Sequence, residues 1–142
     1  MMKTQHALIG FALLAMVSVA NAGSLKAFFA NATGDYITAV AEWRPLAEQG
    51  DAGAQFYLAY SYEIGRGIPQ DYKESFKWYR LAAEQGHRGA QHNLGNAYFY
   101  GKGVPQDYKE AYAWYSVSAV NDGGTNAGWG RANAANKLTQ TQ

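Results

Sequence analysis

Two stretches of 36 residues in this chain are near copies of each other, and a unit that short can bury an apolar face only against a neighbour. Ala54-Gln55, Leu58, Tyr62, Gly65-x-Gly67, Pro69 through Glu74, Trp78-Tyr79 and Ala83 form the first set. They return at Ala90-Gln91, Leu94, Tyr98, Gly101-x-Gly103, Pro105 through Glu110, Trp114-Tyr115 and Ala119. Between residues 51–86 and 87–122, 16 of 36 positions are identical. Self-similarity at this period predicts a stacked array in which each unit is one supersecondary element. Such arrays mostly serve as surfaces for other proteins, and catalysis is the exception.

Each unit reads as two helices and a tight loop. Ala54, Leu58 and Tyr62 fall at four-residue steps with Ser61 on the same face, predicting a helix from about Ala52 to Ile64. Gly65 stops it in the left-handed conformation that helix C-termini favour, and Gly67 allows a second unusual turn. Pro69 fixes φ and has no donor to continue a helix. Asp71 opens the second helix as N-cap, and Glu74 three residues on completes a capping box; Asp107 and Glu110 repeat the pair. Tyr72, Phe76, Tyr79 and Ala83 then form an apolar line with Trp78 and Ala82 beside it. Lys73, Lys77, Arg80 and Glu84 point away, and Gly86 ends the helix.

The array begins before residue 51. Residues 35–50 match 71–86 at the same offset, keeping Asp35-Tyr36, Arg44, Ala47 and Glu48-Gln49-Gly50. Thr38 replaces the capping glutamate, and Pro45 in place of Leu81 is expected to kink or shorten this helix. Ser24 to Asn31 could form a short first helix with Phe28 and Phe29 facing in, ended near Gly34. After Asn121 the pattern breaks into Asp-Gly-Gly-Thr-Asn. A stretch from about Asn126 to Leu138 then carries Trp129, Ala132, Ala135 and Leu138 at three-residue steps and is expected to cap the array. The last unit calls for a cap, because Ala113, Val117 and Val120 replace Lys77, Leu81 and Glu84 and would be costly in water unless Trp129 and Leu138 covered them.

Residues 1–22 have the build of an export signal: Lys3, then an apolar stretch from Ala7 to Val19, then Ala20-Asn21-Ala22 with small residues where a signal peptidase cuts. Cleavage between Ala22 and Gly23 places the protein in the periplasm or outside the cell. The alternative, an uncleaved anchor, requires a longer apolar core of about 18–20 residues. Losing Lys3 leaves 11 basic against 11 acidic residues, which argues against nucleic acid or an anionic membrane surface as partner, and no other segment could cross a membrane. There are no cysteines, hence no disulfides and no thiol chemistry.

The motifs Ala-Gln-x-x-Leu, Gly-x-Gly-[Ile/Val]-Pro-Gln-Asp-Tyr-x-Glu and Trp-Tyr-x-x-x-Ala, each present twice, resemble the Sel-1-like repeat, a longer cousin of the tetratricopeptide repeat. The resemblance covers residues 51–122, with 35–50 as a half unit. It implies an all-α, right-handed superhelix of antiparallel helix pairs, with residues 23–50 as N-terminal half-unit, repeats at 51–86 and 87–122, and cap and tail at 123–142. It also implies that the first helix of each pair lines a concave face and that the repeats serve as adaptors or binding platforms. The family often has glycine after the first-helix leucine; Gly95 conforms and Ala59 does not. Some exported, disulfide-rich members are linked to β-lactam binding, an activity not carried over to a chain without cysteine.

Positions identical in both units are best explained by packing, so Trp78 and Trp114 are expected in the core. The Gly-x-Gly loops lack the Gly-Lys-Ser/Thr ending of a phosphate loop. His87 and His92 are about 140° apart around a helix, the wrong geometry for shared metal ligands, and no serine sits in a nucleophile turn. No cofactor, metal or catalytic residue is expected. Recognition is expected where the units differ: Phe56, Tyr60 and Glu63 with Ala52 on the first stripe, and Arg88, His92, Asn96 and Phe99 on the second. Exposed aromatic and arginine side chains there would anchor a partner protein or peptide segment. Alternatively, Phe56 and Tyr60 pack against the preceding half unit. The expected function is a non-enzymatic periplasmic interaction module, an adaptor, regulator or immunity-type binder; the alternatives are a cell-wall-acting hydrolase and a self-associating structural protein.

Overall fold

The computed structural model describes residues 23–121 and 127–140, so the expected signal peptide and the Asp122–Asn126 break lie outside the described residues. Among the described residues seven helices follow one another: α1 (23–33), α2 (Tyr36–Glu48), α3 (Ala52–Ile64), α4 (Tyr72–Glu84), α5 (Arg88–Tyr100), α6 (Tyr108–Asn121) and α7 (Ala127–Gln140). Chain neighbours pack in series, α2 on α3, α3 on α4 and onward to α6 on α7, as an α-solenoid requires. There are no strands among the described residues.

Several of the repeated residues hold one unit to the next. Gln55 and Gln91, both buried, donate through Nε2 to the Ala47 and Ala83 carbonyls, at 3.1 and 3.2 Å. Each therefore adds a side-chain bond to a carbonyl in the last turn of the preceding helix, which also accepts from the amide of Gly50 or Gly86 at 3.0 or 2.9 Å. Gln70 and Gln106 do the same within their units, donating to the Glu63 and Phe99 carbonyls at 2.7 Å. The second loop glycine meets the unit before it. A Cβ on Gly67 or Gly103 would collide with the carbonyl of Tyr36 or Tyr72, the first residue of the preceding unit's second helix. Both glycines also have positive φ, 71° and 73°. The basic residue between the glycines reaches the same tyrosine: Arg66 lies over the Tyr36 ring at 4.9 Å and Lys102 over Tyr72 at 5.4 Å.

The N-caps follow the sequence in one half. Asp71 and Asp107 accept from the amides two and three residues on, at 2.8 to 3.1 Å. The reciprocal half of the capping box is not made. The Asp71 and Asp107 amides donate instead to the Tyr62 and Tyr98 carbonyls at 3.0 Å, closing the hairpin across its loop. Glu74 pairs with Lys77.

Four further expectations give way to packing. α1 buries Ala27 and Ala30, while Phe28 and Phe29 are each 59% exposed; small residues let the helix approach the core closely and send the phenyl rings outward. Pro45 leaves α2 at 13 residues, the length of α3, α4 and α5, because Pro45 and Ala41 lie on the exposed side, where the Ala41 carbonyl without a helical partner meets water. In α7 the buried face is Gly130 and Ala134 rather than the line through Trp129 and Ala132. The Tyr115 ring sits between Gly95 of α5 and Gly130 of α7, where a Cβ would come within 2.7 and 2.8 Å of ring carbons, so glycine at 130 sets the face that α7 turns inward. Trp129 is consequently 71% exposed and does not cover α6, whose Val117 and Val120 stay 43% and 82% exposed.

The core runs unbroken from Ala27 through Trp43, Leu58 and Tyr79 to Leu94, and Trp78 belongs to it with its Nε1 buried and unpartnered. Trp114 packs against its edge, half-buried. A smaller cluster of Ala111, Tyr115 and Ala134 continues it to α7, bridged by Tyr98. If the loop contact locks the stack, Gly103→Ala should destabilise the fold by at least about 2 kcal/mol, combining left-handed strain with the displaced neighbour. Gly128→Ala, where a Cβ meets nothing within 4 Å, should stabilise by about 0.5 kcal/mol. Urea unfolding of the two variants measures both.

Candidate functional site

Two cavities open beside α3, one on each side. The first, about 570 Å³, is lined by Leu25 and Phe28 of α1, Trp43 of α2, and Tyr57 with Asp51 and Ala54 at the start of α3. The second, about 500 Å³, is lined by Phe56, by Arg88, His92 and Asn93 of α5, by Ser118 of α6 and by Trp129 of α7. The wall between them is the pair Phe56–Tyr57, whose ring centroids lie 5.4 Å apart edge to face. Each ring is fixed from behind. Tyr57 stacks on Trp43 at 4.8 Å with planes 11° apart, and Phe56 stacks on His87 at 4.6 Å.

Below the second cavity lies a set of hydrogen-bonded tyrosines. The Tyr79 hydroxyl donates to Glu63 Oε2 at 2.8 Å and accepts from Asn93 Nδ2 at 2.9 Å. Lys102 reaches the other Glu63 oxygen at 3.5 Å. Burial, with the Glu63 charge beside it, pushes the Tyr79 phenol far above its ordinary pKa. Burial does the same to Tyr115, whose hydroxyl donates to Asn96 Oδ1 at 2.6 Å. Both phenols are permanent donors that tie first helices to second helices. They are not acid–base groups at neutral pH.

Of the residues expected in recognition, Phe56, Arg88 and His92 come together around the second cavity. Glu63 and Asn96 are engaged by the tyrosines, Phe99 packs edge-on against Tyr108 at 5.3 Å, and Tyr60 is 41% exposed on α3 outside both cavity linings. The ring that packs backward on the preceding half unit is Tyr57, whereas Phe56 packs forward on Tyr79 and His87. Sequence reasoning passed over Tyr57, Asn93 and Trp129. Tyr57 and Asn93 are equivalent positions that differ between the units, one step from the stripe chosen, so a wider stripe would have included them. A three-residue period turns Trp129 inward, where the packing follows four. Among the described residues no cluster of His, Cys, Asp and Glu is placed to hold a metal ion.

The model of the Sel1 repeat matches residues 52–87 and 89–119. The chain is a Sel1-repeat protein. Its fold is shared with the crystal structure of c5321, described as a protective antigen present in uropathogenic Escherichia coli strains displaying an SLR fold. That similarity has a TM-score of 0.75 and 34% identity over 85% of this chain and 26% of the other. A Sel1 repeat protein from Oxalobacter formigenes matches with a TM-score of 0.57 and 44% identity over 58% of this chain and 34% of its own. The chain thus spans about a quarter to a third of the length of these relatives. No curated protein matches the sequence. Sel1 arrays are a scaffold type for protein–protein interaction, and the family is generally non-catalytic.

One substitution between the Sel1 units alters the electrostatics at the second cavity. α3 is capped by Asp51, whose carboxylate accepts from the Ala54 amide, whereas the equivalent cap of α5 is His87, whose Nδ1 accepts from the Ala90 amide at 3.2 Å. An imidazole accepts there only when neutral. Burial holds His87 below its ordinary value of 6.5, with Asp51 pulling weakly the other way. The unfolded chain therefore binds this proton more readily, and the stability it controls is complete above about pH 6.5 and is lost as pH falls through the lowered folded value. The loss should be about 1 kcal/mol, the worth of a cap. His87→Asp should remove this component of the pH dependence, as measured by urea unfolding between pH 5 and pH 8.

Proposed function

We propose that this Sel1 array is a non-enzymatic module that binds another protein through its concave face, and that it works outside the cytoplasm as an adaptor, regulator or immunity-type binder. The observation that carries the reading is the pair of cavities flanking α3. Two of the rings in their walls, Phe56 and Tyr57, differ between units and are braced from behind. Tyr57 and Trp129 are 40% and 71% exposed there, and aromatic side chains held in place by packing are the usual anchors of an interface. The scaffold residues that recur in both units lie beneath, so the face can vary without disturbing the stack. Export is supported by the apolar leader ahead of Gly23 and by the relative described as a protective antigen, since a protective antigen is one the immune system meets.

Binding to a captured partner separates the faces. Tyr57→Ala and Trp129→Ala should each weaken it by about tenfold or more, as truncation of an anchor does. Lys77→Ala, on the outer side of α4, should leave it unchanged. Loss on the outer substitution with retention on the other two would contradict the reading. Export is tested separately. A protein recovered from the periplasm should begin at Gly23, whereas full-length protein confined to the cytoplasm would overturn that part.

A further inference from the structure

The first cavity combines apolar walls with a single charge. Leu25 and Phe28 of α1 face Trp43 and Tyr57, and the one charged side chain on the lining is Asp51. Its Oδ1 accepts from the Ala54 amide at 2.6 Å as the cap of α3. Both oxygens of a carboxylate carry lone pairs, so capping takes up only part of what Asp51 can accept. The positive end of α3 offsets about half an elementary charge, which leaves the site negative. Among the described residues no basic side chain forms an ion pair with Asp51. Lys26, the basic residue of α1, lies off the lining and pairs with Glu42 of α2. His87 senses the Asp51 charge, but burial keeps that imidazole neutral at pH 7. The cap itself does not need the charge, because His87 caps α5 while neutral. The equivalents of Leu25, Phe28 and Tyr57 one unit on are Ser61, Ile64 and Asn93, so the meeting of rings and carboxylate is not repeated there.

The lining discriminates among the side chains a partner can offer. An acidic one is repelled by Asp51. A wholly apolar one strips water from the carboxylate and gives nothing in return. A basic one lays its methylene stem along the apolar walls and sets its cationic head beside Asp51. The rings favour the same choice, since the negative face of an aromatic ring attracts a cation. Tyr57 and Phe28 remain 40% and 59% exposed, and the stack on Trp43 holds Tyr57 in place. At about 570 Å³ the cavity is of a size that takes a whole side chain. Resting on the reading of the concave face as a binding surface, we propose that the first cavity receives a basic side chain of the partner protein, paired with Asp51 and packed against Tyr57 and Phe28. The site is thus a cation-binding pocket built from rings and one carboxylate.

Arginine is the probe of choice, because a guanidinium both stacks on rings and pairs with a carboxylate. Amide chemical shifts are followed while acetyl-Gly-Arg-Gly-amide is added to the protein, and again with citrulline in place of the arginine, which keeps the shape without the charge. The arginine peptide should give saturable changes at Leu25, Phe28, Asp51, Gly53, Ala54 and Tyr57. The citrulline peptide should bind about tenfold more weakly, the scale of one charge-assisted contact. Asp51→Asn keeps the cap, since Asn caps a helix about as well as Asp, and should bring arginine binding down to the citrulline level. Tyr57→Leu, checked by circular dichroism, should weaken arginine binding about threefold or more through loss of the ring. Citrulline binding as tight as that of arginine, arginine binding that survives Asp51→Asn, or no saturable change with arginine would overturn this inference. Each of these leaves the concave face as the binding surface while Tyr57→Ala and Trp129→Ala still weaken the captured partner. If the partner is indifferent to both, the reading beneath fails as well.

Discussion

Everything in this molecule depends on how closely one repeat approaches the backbone of the one before it. The second glycine of each loop rests on the carbonyl that opens the preceding unit's second helix, Gly67 on Tyr36 and Gly103 on Tyr72. No side chain fits between them. Because the contact is backbone to backbone, it fixes the offset between units independently of what the exposed faces carry. Arg66 and Lys102 lie over the same tyrosines, and Gln55 and Gln91 tie their helices to the Ala47 and Ala83 carbonyls at the end of the preceding helix. The repeated motif is thus a set of inter-unit fasteners, which is why it changes little from one copy to the next.

The freedom lies on the first helices. Where the fasteners recur, the side chains that border the two cavities do not: Phe56 becomes His92, Tyr57 becomes Asn93 and Ala52 becomes Arg88. Those rings are nevertheless rigid, since Trp43 and His87 back them with stacked contacts and the buried phenols of Tyr79 and Tyr115 pin the helices that carry them. A braced, variable face on an invariant frame loses little conformational entropy when a partner docks. This property links the stacking to a binding role.

The order of the helices in the repeats, the bounds of α3 and α4 to within a residue or two, and the caps at Asp71 and Asp107 were legible in the sequence because each rests on local chemistry repeated twice. What was not legible required knowing which neighbour is close. Phe28 and Phe29 are large and apolar, but Ala27 and Ala30 admit the nearer approach, and hydrophobicity alone ranks them the wrong way. Gly130 reads as a weak helix residue until Tyr115 is placed against it, and its burial turns Trp129 outward to the cavity rim. Glu74 satisfies a capping box on paper, yet the amide it would meet already donates to Tyr62 across the loop. For the same reason the candidate face was found only in part. Phe56, Arg88 and His92 meet around one cavity, while Glu63 and Asn96 are drawn into the tyrosine network that periodicity could not foresee.

The central claim is that an invariant stack presents a separate, variable concave surface to a partner. Backbone amide chemical shifts recorded with and without bound partner test it most directly. The account predicts that the largest changes cluster at Phe56, Tyr57, Arg88, His92, Asn93 and Trp129, with the amides of Gly67 and Gly103 unmoved. Changes centred instead on the outer residues Lys77, Leu81, Val117 and Val120, or a shift of both loop glycines, would contradict it.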